Sequence, residues 1–327
     1  MRYIFLSLLL LTIKAGVSQD CTKELLRQKP GTWKASSQGF IQNVSAADLV
    51  KEKAVIAGIH KMVSTGYHPT GCQVSYSTVY GKHLPAGKNW IADPYYYAMF
   101  VLRYLCDPAS GDKTKSYVDY STPTTVNITA NVINWFNLYA AGLPDDDFRG
   151  YLKLRKKPEK KDGYYYLGEE VMGDADDGKK IKEYHWLITY SDTLPFSYMT
   201  RKEYLLIQKK RLEKNIMDSP SEKSYNEKFI SNINEYLKKS DKELNQPAIS
   251  RWNDEERFEG FVEEGSSNSF IAIKYNPDYY HKKLARSVPQ FFTVVYKISH
   301  GDPVFEENIE AIKKAVDFAA LKSRLGK

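Results

Sequence analysis

Glu183 and His185 stand two residues apart in EYHWLITY, a spacing that puts both side chains on one face of an extended strand. A carboxylate there can orient an imidazole for general-base work. On a solvated strand the same pair is simply a polar face, and that account is the stronger one. The second acidic group, Asp254, Glu255, Glu256, Glu259, Glu263 and Glu264 in WNDEERFEGFVEE, holds enough carboxylates for an acid and base pair. Glycoside cleavage needs two of them about 5 to 9.5 Å apart across a sugar. A charged strand edge that discourages sheet pairing is the better account of them. Glu183, His185, Glu256 and Glu259 are therefore the catalytic candidates of a hydrolase reading.

Other chemistries lack their parts. The chain has no G-x-S-x-G elbow, no H-E-x-x-H pair and no dinucleotide fingerprint. GDADDGKK, Gly173 to Lys180, mimics a phosphate loop, but Lys180 stands where Ser or Thr is required and three Asp would repel a phosphate. As a calcium loop it puts Gly178 one position early and His185 in place of the bidentate Glu, so it reads as an acidic turn, as does Asp145 to Asp147. Neither a metal nor a cofactor is expected. A nucleophilic Cys72 or Cys106 would need a nearby His and a lowered thiol pKa, and neither is visible in the sequence.

Tyrosine is the least ordinary feature: there are 25, with runs at Tyr95 to Tyr97, Tyr164 to Tyr166 and Tyr279 to Tyr280. In a strand Tyr164 and Tyr166 share one face and Tyr165 takes the other. Such rings stack on sugars or anchor a protein partner, although Tyr also simply favours strands. Tyr164, Tyr165 and Tyr166 are the ligand-binding candidates.

The elements that must position these residues follow from local pattern. Ser45 to Val63 has helical spacing with Ser45 and Asp48 as a capping pair. DPYYYAMFVLRYLCDP, with Asp93 as N-cap and Pro94 at the first position, predicts a buried helix; a core strand is the alternative. Asp107 to Ser116 has linker composition. Residues 148 to 170 predict a hairpin around a charged Pro/Gly turn, and Glu183 to Tyr190 a half-buried strand with Tyr184, Trp186, Ile188 and Tyr190 on one face. LPFSYMTRKEYLL, Leu194 to Leu206, is a strand-to-helix joint: Thr200 and Glu203 form a capping box, Met199 and Tyr204 a hydrophobic staple. That helix runs to about Met217, and a second, with Phe229, Ile230, Ile233, Tyr236 and Leu237 on one face, completes a helical hairpin. FEGFVEE, FIAIKYNP and PQFFTVVYKI read as strands, and a final helix starts at Asp302-Pro303 with Ile309, Ile312, Val316 and Ala320 on one face. The fold class is α+β: a mainly helical region over 19–115, then an α+β domain over 116–327 with antiparallel sheet, helical hairpin and C-terminal helix.

Residues 1–18, MRYIFLSLLLLTIKAGVS, have the form of a secretory signal, with cleavage expected after Ser18. The apolar block is shorter than the ~20 residues a membrane span needs, so no transmembrane anchor is expected in the mature chain. Asp20 before Cys21 argues against lipidation. Removing this segment takes away Arg2 and Lys14 and lowers the formal charge from +7 to +5. With the remaining charges interleaved, no nucleic-acid partner is indicated. Of the three cysteines, Cys72 and Cys106 are the expected disulfide, since Cys21 lies near a fraying start.

LPFSYMTRKEYL, NPDYYHKKL, PQFFTVVYKI and VDFAALKSRLGK resemble segments of an uncharacterised family of secreted Bacteroidota proteins. The resemblance covers most of the mature chain and transfers no activity. It implies a Gram-negative envelope, periplasmic or exported, where the Asn43-Val44-Ser45 and Asn127-Ile128-Thr129 sequons are chance matches. The function expected is non-enzymatic binding of a glycan or protein partner in the envelope, against a hydrolase of polysaccharide or peptidoglycan, or a structural component of an envelope assembly.

Overall fold

The structure, a computed structural model, describes residues 20–37, 41–81, 92–121, 124–132, 151–174, 180–252 and 257–327. The chain opens with α1 (Lys23–Gln28), β1 (Thr32–Ser37), β2 (Ile41–Gln42), α2 (Ala46–Gly66), β3 (Cys72–Gly81), β4 (Tyr95–Cys106), β5 (Ser116–Val118) and β6 (Thr125–Ala130). Next come β7 (Leu152–Leu154), β8 (Glu159–Lys161), β9 (Tyr164–Asp174), β10 (Lys180–Ile188), β11 (Phe196–Tyr198), α3 (Arg201–Asp218), α4 (Lys223–Tyr236) and α5 (Asp241–Leu244). It closes with β12 (Ile249–Arg251), β13 (Ser269–Tyr275), β14 (Phe292–Ser299), α6 (Pro303–Ala315) and α7 (Phe318–Ser323).

Ten of these strands form one sheet, in the order β1-β3-β4-β6-β14-β10-β9-β8, with β2 added to β3 and β5 to β4. β1 and β2 run parallel to β3, and every other pairing in this sheet is antiparallel. A second sheet of four strands has β13 at its centre, paired with β7, β11 and β12. The class is α+β. Three apolar clusters stack the layers. Ile59 and Val63 of α2 and Ile309 and Ile312 of α6 pack on the alternate residues Val74, Met99, Ile128 and Val294 of the large sheet. On its other face Leu167, Leu187 and Phe291 meet Ile271 and Ile273 of the small sheet. Beyond that sheet, Phe270 and Ala272 meet Tyr204, Leu212, Phe229 and Ile233 of α3 and α4. β13 therefore buries both faces, odd residues inward and even residues outward, as a period of two requires.

Several local expectations hold. Ser45 accepts from the Asp48 N–H at the start of α2. Thr200 and Glu203 form the reciprocal capping box of α3, with Met199 and Tyr204 both buried in the helical cluster. α3 and α4 make the helical hairpin, separated by a short 3₁₀ turn at Pro220–Glu222.

Others are corrected. The DPYYYAMFVLRYLCDP stretch is a strand, β4, because it lies between β3 and β6 and buries Tyr95, Tyr97, Met99 and Val101 completely on the helix-covered face. A central strand can be apolar on both faces as readily as a buried helix. With it goes the mainly helical region over 19–115: β3 and β4 share a sheet with β6 and β14, and of the Asp107 to Ser116 stretch, Asp107 to Lys115 connects β4 to β5 and Ser116 begins β5. The disulfide joins Cys21 to Cys106, with Cα atoms 5.7 Å apart, and Cys72 is a buried free thiol. Register explains the difference. Cys72 pairs with Arg103, so it shares the face of the odd-numbered β4 residues, while Cys106 points to the other face. Cys21 itself is held in place, since its N–H donates to Lys113 O at 2.8 Å. FEGFVEE is irregular, with Phe258 and Phe261 packed in the helical cluster. The final helix is two: α6 ends at Ala315, and Asp317 caps α7 by accepting from the Ala320 N–H.

Candidate functional site: an aromatic cleft

β8 turns into β9 through Asp162-Gly163, with φ of +52° and +83°. That is the pair of left-handed residues a two-residue hairpin needs, and Asp-Gly supplies it. The turn puts Tyr164 and Tyr166 on the helix-side face of the large sheet, toward the edge that α6 and α7 only partly cover. Between Tyr166 and Gly168 the register with β10 shifts, a bulge that leaves Tyr166 opposite Trp186. Tyr184 of β10 is opposite Tyr296 of β14 on the same face.

These side chains form the floor of a cleft of about 400 Å³, and Lys313, Val316 and Phe318 from the α6–α7 region form its wall, with Asp162 at the turn. The ring centroids of Tyr166 and Trp186 lie 4.9 Å apart, Trp186 and Phe318 5.5 Å, and Tyr164 and Phe318 5.2 Å. A volume in this range holds a small ligand, and aromatic walls with a few polar groups are the usual lining of such sites. Lys313 Nζ stands 5.3 Å from the Tyr184 ring centroid and 5.8 Å from that of Tyr296, and pairs with Glu310 at 2.6 Å. Lys161 lies 4.0 Å over Tyr166, which is only 9% exposed and so backs the cleft, whereas Tyr164, Tyr184 and Trp186 are half-buried. Burial pushes the Tyr166 phenol up to about 12, with Glu169 adding to it, and raises Tyr184 for the same first reason. Both hydroxyls therefore keep their protons at neutral pH. The cleft offers flat apolar faces, neutral hydroxyls, one ammonium and one carboxylate.

Of the residues singled out from sequence, Tyr164 and Tyr166 line the cleft. Tyr165 does not: it lies on the opposite face and donates to Asp192 O at 2.8 Å. Glu183 and His185 do come together, Oε2 to Nε2 at 3.3 Å, but on the face away from the cleft, with the His185 side chain only 2% exposed. Glu183 also stands 4.0 Å from Lys297. A general base needs a route to substrate, and this imidazole is walled in. Glu259 is exposed and apart from the cleft lining; Glu256, with Asp254 and Glu255, lies outside the described residues, as do Asp145 to Asp147 and Asp176 and Asp177. Asp174 pairs with Lys180 across the ends of β9 and β10. Among the described residues no group of three or more His, Cys, Asp or Glu is placed to hold a metal ion.

Sequence reading passed over Trp186, Tyr184, Lys313 and Phe318 as site residues. The alternation in EYHWLITY marks Tyr184 and Trp186 as one face, yet that face reads as core until the extent of the helical cover is known. Phe318 enters only because the chain breaks at Asp317. No family model, no curated protein and no solved structure matches the chain.

Proposed function

We propose that this is a non-enzymatic binding protein of the cell envelope that takes a glycan in the aromatic cleft. The observation that carries the reading is the set of half-buried rings, Tyr164, Tyr184 and Trp186 facing Phe318, open to a ligand on one side and braced by a sheet on the other. Sugars present apolar C–H faces and hydroxyl edges, which suit aromatic faces and phenol hydroxyls together. Two further facts support the location. A disulfide joins Cys21 and Cys106, a bond that persists in oxidising compartments, and no helix among the described residues is long and apolar enough to cross a membrane.

A hydrolase would need a second carboxyl beside the ligand. Among the described residues lining the cleft, Asp162 is the one that carries a carboxylate. The binding reading is tested by co-sedimentation of the purified protein with insoluble polysaccharides and peptidoglycan sacculi, assayed for both retention and released sugar. Trp186→Ala should weaken retention about tenfold, the loss of one buried aromatic contact of about 1.4 kcal/mol. Tyr165→Ala, on the other face, should leave it unchanged. Release of soluble sugar, or equal loss in both variants, would reject the reading.

A further inference from the structure

Tyr184 enters the cleft with its hydrogen bonding already committed. Its hydroxyl lies 2.9 Å from Nε2 of His300. On the other side of that ring, Nδ1 is 3.4 Å from Oε1 of Glu306, which also accepts from the Gly301 N–H at 2.9 Å. A carboxylate only accepts, so its position favours the imidazole proton on Nδ1. Nε2 is then a bare lone pair. The group that fills it is the Tyr184 O–H, and the Tyr184 oxygen has only lone pairs left to offer the cleft.

We infer that His300 is a positioning residue that sets the hydrogen-bond polarity of the cleft wall: while neutral, it makes Tyr184 an acceptor, so the cleft selects ligand groups that donate. Sugar hydroxyls satisfy that condition and a uronate carboxylate does not. Protonation of His300 reverses the bond, since Nε2–H then donates to the Tyr184 oxygen and the phenol proton turns toward the ligand. Acceptor-only groups become acceptable. The inference rests on the glycan reading of the cleft and adds its specificity and its pH dependence.

The charges facing this pair are Glu306, Glu310 and Lys313 from α6, Lys182 from β10 and Glu169 from β9. Lys313 pairs with Glu310 and Lys182 with Glu169, and the His300 N–H donates to Lys180 O, which fixes the backbone that carries the ring.

Two measurements test this. Long-range proton–nitrogen NMR of the histidine-labelled protein, with His300 assigned by its loss in His300→Gln, reads the tautomer without any ligand. A protonated Nδ1 and bare Nε2 at pH 8 is expected; the opposite tautomer overturns the inference. Binding of cellohexaose and of its C6-oxidised uronate counterpart is then compared at pH 8 and pH 5.5. The preference for the neutral sugar should fall about fivefold at the lower pH, the effect of one hydrogen bond. His300→Gln, whose side-chain oxygen can still accept the Tyr184 proton, should keep the pH 8 preference at both values. His300→Leu should lose it at both. Equal preference at both pH values in the unaltered protein overturns the polarity role and leaves the glycan reading intact. If neither probe binds, the glycan reading fails for these sugars and the tautomer still decides the role of His300.

Discussion

Glu52 is a carboxyl in a place that disfavours its charge. It sits on the sheet-facing side of α2 with no solvent exposure, accepts from the Gly81 N–H at 2.8 Å, and has its other oxygen without a hydrogen-bond partner among the described residues. Burial raises it from 4.5 to about 7; the Gly81 N–H works against this, and Asp93 and Asp48 add to it. The folded protein therefore holds a proton between these values that the unfolded chain releases. Stability falls as pH rises through this window, and the full penalty is present above about 7. Glu52→Gln keeps the acceptor and removes the charge. It should match the parent near pH 5 and exceed it at pH 8 by at most about 3 kcal/mol, measured by urea unfolding at the two pH values. Cys72 shows the same physics with a thiol. Burial pushes it up to about 12, against small opposing contributions from Tyr67 and the Thr70 backbone, so it is an inert core residue and not a nucleophile.

At the scale of elements, the break between α6 and α7 matters most to the cleft. α6 ends when Val316 leaves helical geometry, Asp317 restarts the chain as an N-cap, and Phe318 at the first position of α7 turns over Trp186 and Tyr164. A continuous helix would carry Phe318 elsewhere. Asp317→Ala removes the acceptor for the Ala320 N–H and should cost about 1 kcal/mol in thermal or urea unfolding. It should also weaken ligand binding several-fold while leaving Trp186 and its strand in place. A loss of stability with unchanged affinity would show that Phe318 is not part of the binding wall. The Asp162-Gly163 turn has a parallel role on the opposite rim, since it fixes the register that sends Tyr164 and Tyr166, rather than Tyr165, to the cleft side.

At the scale of the molecule, the large sheet spans what composition divides. Its strands come from both sides of residue 115, and β14, near the end of the chain, pairs with β6 and β10 at its centre. Folding must therefore close long loops, and the Cys21–Cys106 bond, with a sequence separation of 85, removes part of that cost from the unfolded state. Reduction should lower stability by about 2–4 kcal/mol, read as a shift in the urea midpoint with and without reductant. The cleft lies at the far end of the sheet from α1, so binding by the reduced, still folded protein should be unaffected.

Short-range chemistry was legible in the letters. The caps at Ser45 and Thr200, the Asp302-Pro303 helix start, the strands around Trp186 and Val294, and the shared face of Tyr164 and Tyr166 all follow from interactions within a few residues, which a linear pattern records. What required the tertiary structure was everything set by partners distant in sequence. β4 is a strand because β3 and β6 flank it; Cys106 finds Cys21 because β3 register turns Cys72 to the other face; and Leu187, on the face of β10 away from the cleft, is buried because a second sheet packs against it. The cleft belongs to this second group. Its rings come from three strands and one helix, and an aromatic face becomes a binding wall only where the helices stop short of covering the sheet, a boundary fixed by packing and not by local pattern.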